Sequence, residues 1–103
     1  TTADLCIRRS PKYGLDVLVR LNGEGQIMCN SYSSCNVRVR FDEKPARRIG
    51  GAEPSDRSTN IVFLNGAERL LRDLKSSKEV SVELEFFKNG AQALTFPTQG
   101  LVW

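Results

Sequence analysis

The 103-residue chain is long enough for one domain around a single core, and we expect residues 1–103 to form it. Hydrophobic residues make up 40% and charged residues 26%, which argues against disorder, and no apolar run reaches the roughly 20 residues of a transmembrane helix. The net charge is +3, with nine basic against five acidic side chains in residues 1–50 and six against seven afterwards. This asymmetry allows an acidic partner.

The first part of the chain predicts antiparallel strands joined by turns. Residues 5–9 form a short candidate strand, and residues 16–21 form a stronger one because they are rich in β-branched side chains. Residues 22–25 hold two glycines and predict a loop. Residues 26–29 then predict the return strand of a hairpin with 16–21.

The cysteines predict a disulfide. Cys29 and Cys35 flank a short polar stretch, and a strand pattern follows directly, which favours a stapled hairpin and an oxidising compartment. Cys6 is then expected to be free, although its pairing with Cys29 or Cys35 stays open. The alternative is three reduced thiols in a cytosolic protein. A zinc site would need a fourth ligand, so no metal site is predicted.

Residues 36–42 alternate between apolar and polar side chains. Val37, Val39 and Phe41 fall on one face, and Arg38 and Arg40 fall on the other. This period of two is typical of an antiparallel strand with one buried face. Pro45 ends the strand or marks an edge.

Four arginines are the predicted binding residues: Arg38, Arg40, Arg47 and Arg48. The planar guanidinium makes paired hydrogen bonds to carboxylate or phosphate. Because Phe41 points away from Arg38 and Arg40, that face lacks aromatic residues to stack on bases, and we expect no nucleic acid. We expect a protein partner, and an acidic one would fit. The alternative is that Arg38 and Arg40 form cross-strand ion pairs with acidic residues, namely Asp16, Glu83 and Glu85.

The second half predicts a loop over 50–60, a buried run over 61–64 and a helix over 65–76. Asn65 is the expected N-cap, with Glu68 reaching back in a capping box. The helix carries one apolar stripe at positions i, i+3, i+4 and i+7. The stripe consists of Ala67, Leu70, Leu71 and Leu74.

The chain ends in a predicted hairpin. A three-residue loop, Lys88-Asn89-Gly90 with Gly90 left-handed, pairs Leu84 with Leu94 and Val82 with Phe96. This register keeps the apolar side chains on one face, whereas a two-residue turn would mix the faces.

Nothing in the sequence assembles a recognisable catalytic motif. Histidine is absent, which removes the commonest general base, and no phosphate-cradling glycine loop occurs. The candidate general bases are carboxylates: Asp42, Glu43, Glu83 and Glu85. A cleft lined by Asp42, Glu83 and Glu85 would favour an enzyme using a carboxylate pair. We expect no enzyme and no cofactor.

Several short motifs follow one another in order along most of the chain. They are Ser10-Pro11-Lys12-Tyr13-Gly14, Gly25-Gln26, Cys29, Cys35, the string from Val37 to Asp42, Ser58-Thr59-Asn60, the run from Ile61 to Leu64, a helix, the segment from Phe87 to Phe96 around Asn89-Gly90, and Gly100-Leu101. This order resembles small bacterial envelope proteins and lipoproteins, among them the VasI/TagO-type proteins associated with type VI secretion. The resemblance implies an exported accessory domain without known catalysis.

Together these patterns predict an α+β fold, a mostly antiparallel β-sheet or sandwich of about seven to eight strands with one helix packed on it. The expected function is a non-enzymatic, exported binding or assembly module of a bacterial cell envelope, associated with a secretion system if the resemblance holds. The alternative is an inhibitor or immunity protein that binds a toxin or hydrolase through a basic strand face. We expect the periplasm or cell envelope, an export signal upstream of Thr1, room there for a lipid anchor, and no transmembrane segment.

Overall fold

The computed structural model describes residues 2–12, 14–23, 26–27, 35–52, 59–86 and 90–101. Within these ranges the chain forms seven strands and one helix. In chain order they are β1 (Thr2–Ser10), β2 (Gly14–Asn22), β3 (Asn36–Phe41), β4 (Arg47–Ala52), β5 (Ile61–Leu64), α1 (Ala67–Lys75), β6 (Glu79–Phe86) and β7 (Gly90–Pro97).

The strands form one sheet that curls into a half-barrel. Its order is β1-β2-β5-β4-β3-β6-β7, and every neighbouring pair is antiparallel. This confirms an α+β fold built mostly on an antiparallel sheet with one helix. The predicted alternative of a two-sheet sandwich is not confirmed, because all seven described strands form a single hydrogen-bonded sheet.

The core lies on the concave face of the sheet, against α1. Alternate residues of β3 and β6 are buried, because successive side chains of a strand point to opposite faces. In β2 the same alternation buries Val17, Val19 and Leu21, and Leu18 is buried as well. Leu70 and Leu74 of α1 join this cluster, so the predicted stripe does pack on the sheet. The buried strand residues of the cluster are Val17, Val19, Leu21, Val37, Val39, Phe41, Val62, Leu64, Val80, Val82, Leu84 and Phe86.

The predicted N-cap of the helix is wrong. The backbone N–H of Asn65 donates to the Gly50 carbonyl of β4 at 2.9 Å, so Asn65 still belongs to the sheet. The chain turns at Gly66, whose φ of 75° costs little without a Cβ, and α1 begins at Ala67 with no side-chain cap. The predicted end at Ser76 is confirmed, since its N–H bonds back to the last turn.

The predicted hairpin between 16–21 and 26–29 is also wrong for the described residues. Strand β2 has β1 on one side and β5 on the other, so no edge is left for a third strand. Ile27 instead forms an isolated bridge with Phe86, and its N–H donates to the Thr59 carbonyl. Met28 and Cys29 lie outside the described residues.

Part of the predicted loop over 50–60 is strand, because β4 continues to Ala52. Gly51 pairs with Leu64, and it stands where the sheet is crowded. A Cβ at Gly51 would lie 2.7 Å from Cys35 Sγ and 3.0 Å from Val62 Cγ2. Gly51, which in the sequence indicates a loop, therefore lies within a strand, where close packing leaves no room for a Cβ.

The final hairpin keeps its predicted faces but not its predicted register. Val82 lies opposite Leu94, and Val80 lies opposite Phe96. Gly90 is left-handed, as predicted, with φ 69°. The shift from the predicted register is two residues, which leaves every side chain on the same face, so the apolar pattern could not detect it. Residues 87–89 lie outside the described residues.

Candidate functional site

Strand β3 presents arginines on the convex face of the sheet. Val37, Val39 and Phe41 are buried on the concave face, while Arg38 and Arg40 are exposed on the other, as the alternation predicts. Because the buried side fixes the strand, the two arginines project from a rigid support.

A third arginine, Arg48 of β4, belongs to the same surface. Arg38 lies directly opposite Arg48 on one side and directly opposite Glu83 of β6 on the other. Arg40 lies opposite Ser81. We call Arg38, Arg40 and Arg48 together the outer basic face.

The outer basic face is not neutralised by any acidic side chain among the described residues. The ion pairs among the described residues join Arg8 to Asp16, Arg20 to Asp4 and Arg47 to Asp73. None of them involves Arg38, Arg40 or Arg48. The described residues therefore do not show the alternative prediction, in which Arg38 and Arg40 form cross-strand ion pairs.

Arg47 lies apart from the other three arginines. Its Nη2 donates to Asp73 Oδ2 on α1, and its guanidinium carbon lies 5.1 Å from the centroid of the Phe41 ring. Arg47 is opposite the buried Val39, whereas Arg48 is opposite the exposed Arg38. The structure thus assigns Arg47 to a contact between β4 and α1.

This separation was missed at the sequence level, although a signal for it exists. Adjacent residues of a strand point to opposite faces, so Arg47 and Arg48 could not share a surface once β4 was recognised. The sequence does not indicate β4, because Gly50 and Gly51 are typical of a loop.

Among the described residues Asp42 does not share a cleft with Glu83 and Glu85, and it lines a surface groove with Glu43 and Glu79 instead. Asp42 Oδ1 accepts the N–H groups of Lys78 and Glu79 at 2.9 and 3.0 Å, and these bonds, that of Glu79 first, hold the pKa of Asp42 below its ordinary value. Glu83 lies four residues beyond Glu79 on β6, about 13 Å along the strand. Through these two hydrogen bonds, Asp42 links the end of β3 to the start of β6.

The described residues test the predicted state of the cysteines only in part. Cys6, opposite Leu18 in the β1–β2 pair, carries a free thiol as expected. Cys29 lies outside the described residues, so the disulfide between Cys29 and Cys35 stays a prediction.

In the described ranges no helix has the length and apolar character to cross a membrane. Nor do the described side chains bring three or more cysteine or acidic groups together as metal ligands. Comparison with protein-family models, curated proteins and solved structures found no match for this chain. The resemblance to secretion-associated envelope proteins thus stays a prediction, and the outer basic face is the candidate site.

Proposed function

We propose that this protein is a non-enzymatic binding or assembly module, exported to a bacterial cell envelope, that binds an acidic protein partner through the outer basic face. One observation supports it above the others. Three exposed arginines lie on one rigid surface, and none has an ion pair among the described residues. The proposed export rests on the spacing of Cys29 and Cys35, and a role beside a secretion system rests on the resemblance.

The charges around the outer basic face would orient the partner. Glu83 and Glu85 project from β6, next to β3, on the same convex side. A partner carboxylate is therefore attracted over β3 and β4 and repelled over β6. Charge complementarity of this kind contributes more to association rate and partner choice than to raw affinity.

A second candidate is an inhibitor or immunity protein. Its supporting observation is the row of charged side chains across three strands, in the order Arg48, Arg38 and Glu83. Such a surface could cover an acidic active site of a toxin or hydrolase. Loss of the captured enzyme's activity on adding this protein would identify this candidate.

The test is capture of partners from an envelope fraction by the wild type and two charge-reversed variants. We expect Arg38→Glu/Arg40→Glu to lose the partner while thermal unfolding stays close to wild type, because neither side chain enters the core. The matched control is Arg9→Glu/Arg72→Glu, which makes the same charge change at exposed arginines of β1 and α1 that line a separate groove. The control should retain the partner.

Salt provides an independent check on the same capture. Affinity should fall as ionic strength rises, since the screening length shortens from about 10 Å at 0.1 M to about 3 Å at 1 M. Equal capture by wild type and the Arg38→Glu/Arg40→Glu variant would contradict the proposal.

A further inference from the structure

The outer basic face contains an electrostatic conflict. Arg38 and Arg48 lie directly opposite one another on neighbouring strands, an arrangement in which like charges destabilise a sheet. Neither has an ion pair within 4.0 Å among the described residues, even though Glu83 is the cross-strand neighbour of Arg38. An anion placed between the two guanidinium groups would remove the repulsion.

The spacing of the three arginines defines two positions for anions. The Cβ atoms of directly opposed residues are about 5 Å apart, so one carboxylate can bridge Arg38 and Arg48. Arg40 is two residues farther along the same face of β3, or about 7 Å. An extended polypeptide has the same distance between its residues i and i+2.

We infer that the outer basic face binds an extended segment of the partner protein with acidic residues at alternate positions. One carboxylate bridges Arg38 and Arg48, and the next binds Arg40. The inference rests on the proposed function and specifies the chemistry of its partner.

The neighbouring acidic residues favour a peptide over a nucleic acid. A peptide can place a neutral residue between its two carboxylates, whereas a nucleic acid carries a charge at every phosphate and would pass Glu83 or Glu85 with repulsion. The exposed side of β3 also has no aromatic side chain for a base, because Phe41 is buried on the other side.

The first experiment compares two capped peptides of equal composition against the full chain. One is Thr-Glu-Thr-Glu-Thr, and the other, Thr-Thr-Glu-Glu-Thr, has its glutamates adjacent. Titrations followed by the Nε–Hε signals of arginine should show at least about threefold tighter binding of the alternating peptide. The shifts should appear at Arg38, Arg40 and Arg48, with Arg72 unmoved.

Equal affinity for the two peptides would overturn the inferred spacing, and tighter binding of an oligothymidylate probe would overturn the peptide partner. If the peptides are not distinguished while Arg38→Glu/Arg40→Glu still loses the captured protein, this inference fails and the proposed function stands. If that capture is also unchanged, both fail.

The second experiment uses Arg48→Gln, which removes the repulsion along with part of the site. We expect the melting temperature of the free protein to rise by about 1 to 5 °C, while the alternating peptide binds more weakly. The matched control, Arg72→Gln, at an exposed arginine away from Arg48, should change neither quantity. A lower melting temperature for Arg48→Gln would show that Arg48 is held by stabilising contacts and would overturn the argument.

Discussion

Truncating Leu74 tests whether α1 is packed as the structure has it. Leu74 is 2% exposed and belongs to the central core, whereas Leu71 is 6% exposed and lines a surface groove beside Arg9. Leu→Ala removes three carbon groups, worth about 2.4 kcal/mol of transfer free energy at roughly 0.8 kcal/mol each. At Leu74 the residual cavity adds about 1 to 2 kcal/mol. At Leu71 water can enter, so the transfer cost alone applies.

We therefore expect a loss of about 3 to 5 kcal/mol in the free energy of unfolding for Leu74→Ala and about 2 to 2.5 kcal/mol for Leu71→Ala. Arg72→Ala, at an exposed position of the same helix, should cost under about 1 kcal/mol. The assay is urea unfolding followed by circular dichroism. Similar losses for Leu74→Ala and Arg72→Ala would mean that the buried face of α1 is misassigned.

Three further experiments test the oxidation state of the cysteines, the hydrogen bonds of Asp42 and the effect of the Glu83 charge on binding. Alkylation without reductant should label Cys6 alone, and mass spectrometry showing Cys29 and Cys35 also modified would contradict the disulfide. Because the pKa of Asp42 is lowered below 3.8, its stabilisation is present above that pH and is lost as pH falls through the folded value. Asp42→Asn should thus lower the melting temperature at pH 7, and the variant should lose less stability than the wild type when the pH is lowered. If both proteins lose the same stability on acidification, the hydrogen bonds of the Asp42 carboxylate do not contribute as argued. Glu83→Gln should tighten binding of the acidic partner about threefold, since a repulsion across about 7 Å of water is roughly 0.6 kcal/mol; weaker binding in a titration would place the partner over β6.

The local patterns of this chain were predictable from sequence. Alternation identified the buried face of β3, with Val37, Val39 and Phe41, and the helical period identified Leu70 and Leu74. Both features depend on residues close in sequence and on which of them avoid water. The same information assigned the faces of the final hairpin but not its register, because a two-residue shift preserves every face.

The predictions that are wrong concern features that depend on contacts between residues distant in sequence. Asn65 has the composition of an N-cap, but its N–H is already bonded to the Gly50 carbonyl across the sheet. Gly51 has the composition of a loop, but it allows the close approach of Cys35 and Val62. In each case a tertiary contact overrides a local preference, as propensity arguments allow.

The candidate site belongs to the same class of feature. Nothing in the sequence places β3 between β4 and β6, yet that order alone brings Arg38 between Arg48 and Glu83. The sequence supplied the arginines and the face of β3 from which they project. The strand order supplied the like-charge pair, and the alternation of side chains along β4 places Arg47 on the other face, in contact with α1. An opposed pair of arginines costs stability, and neither Arg38 nor Arg48 has an ion pair among the described residues. For this reason we propose the outer basic face as the surface to which a partner carboxylate binds.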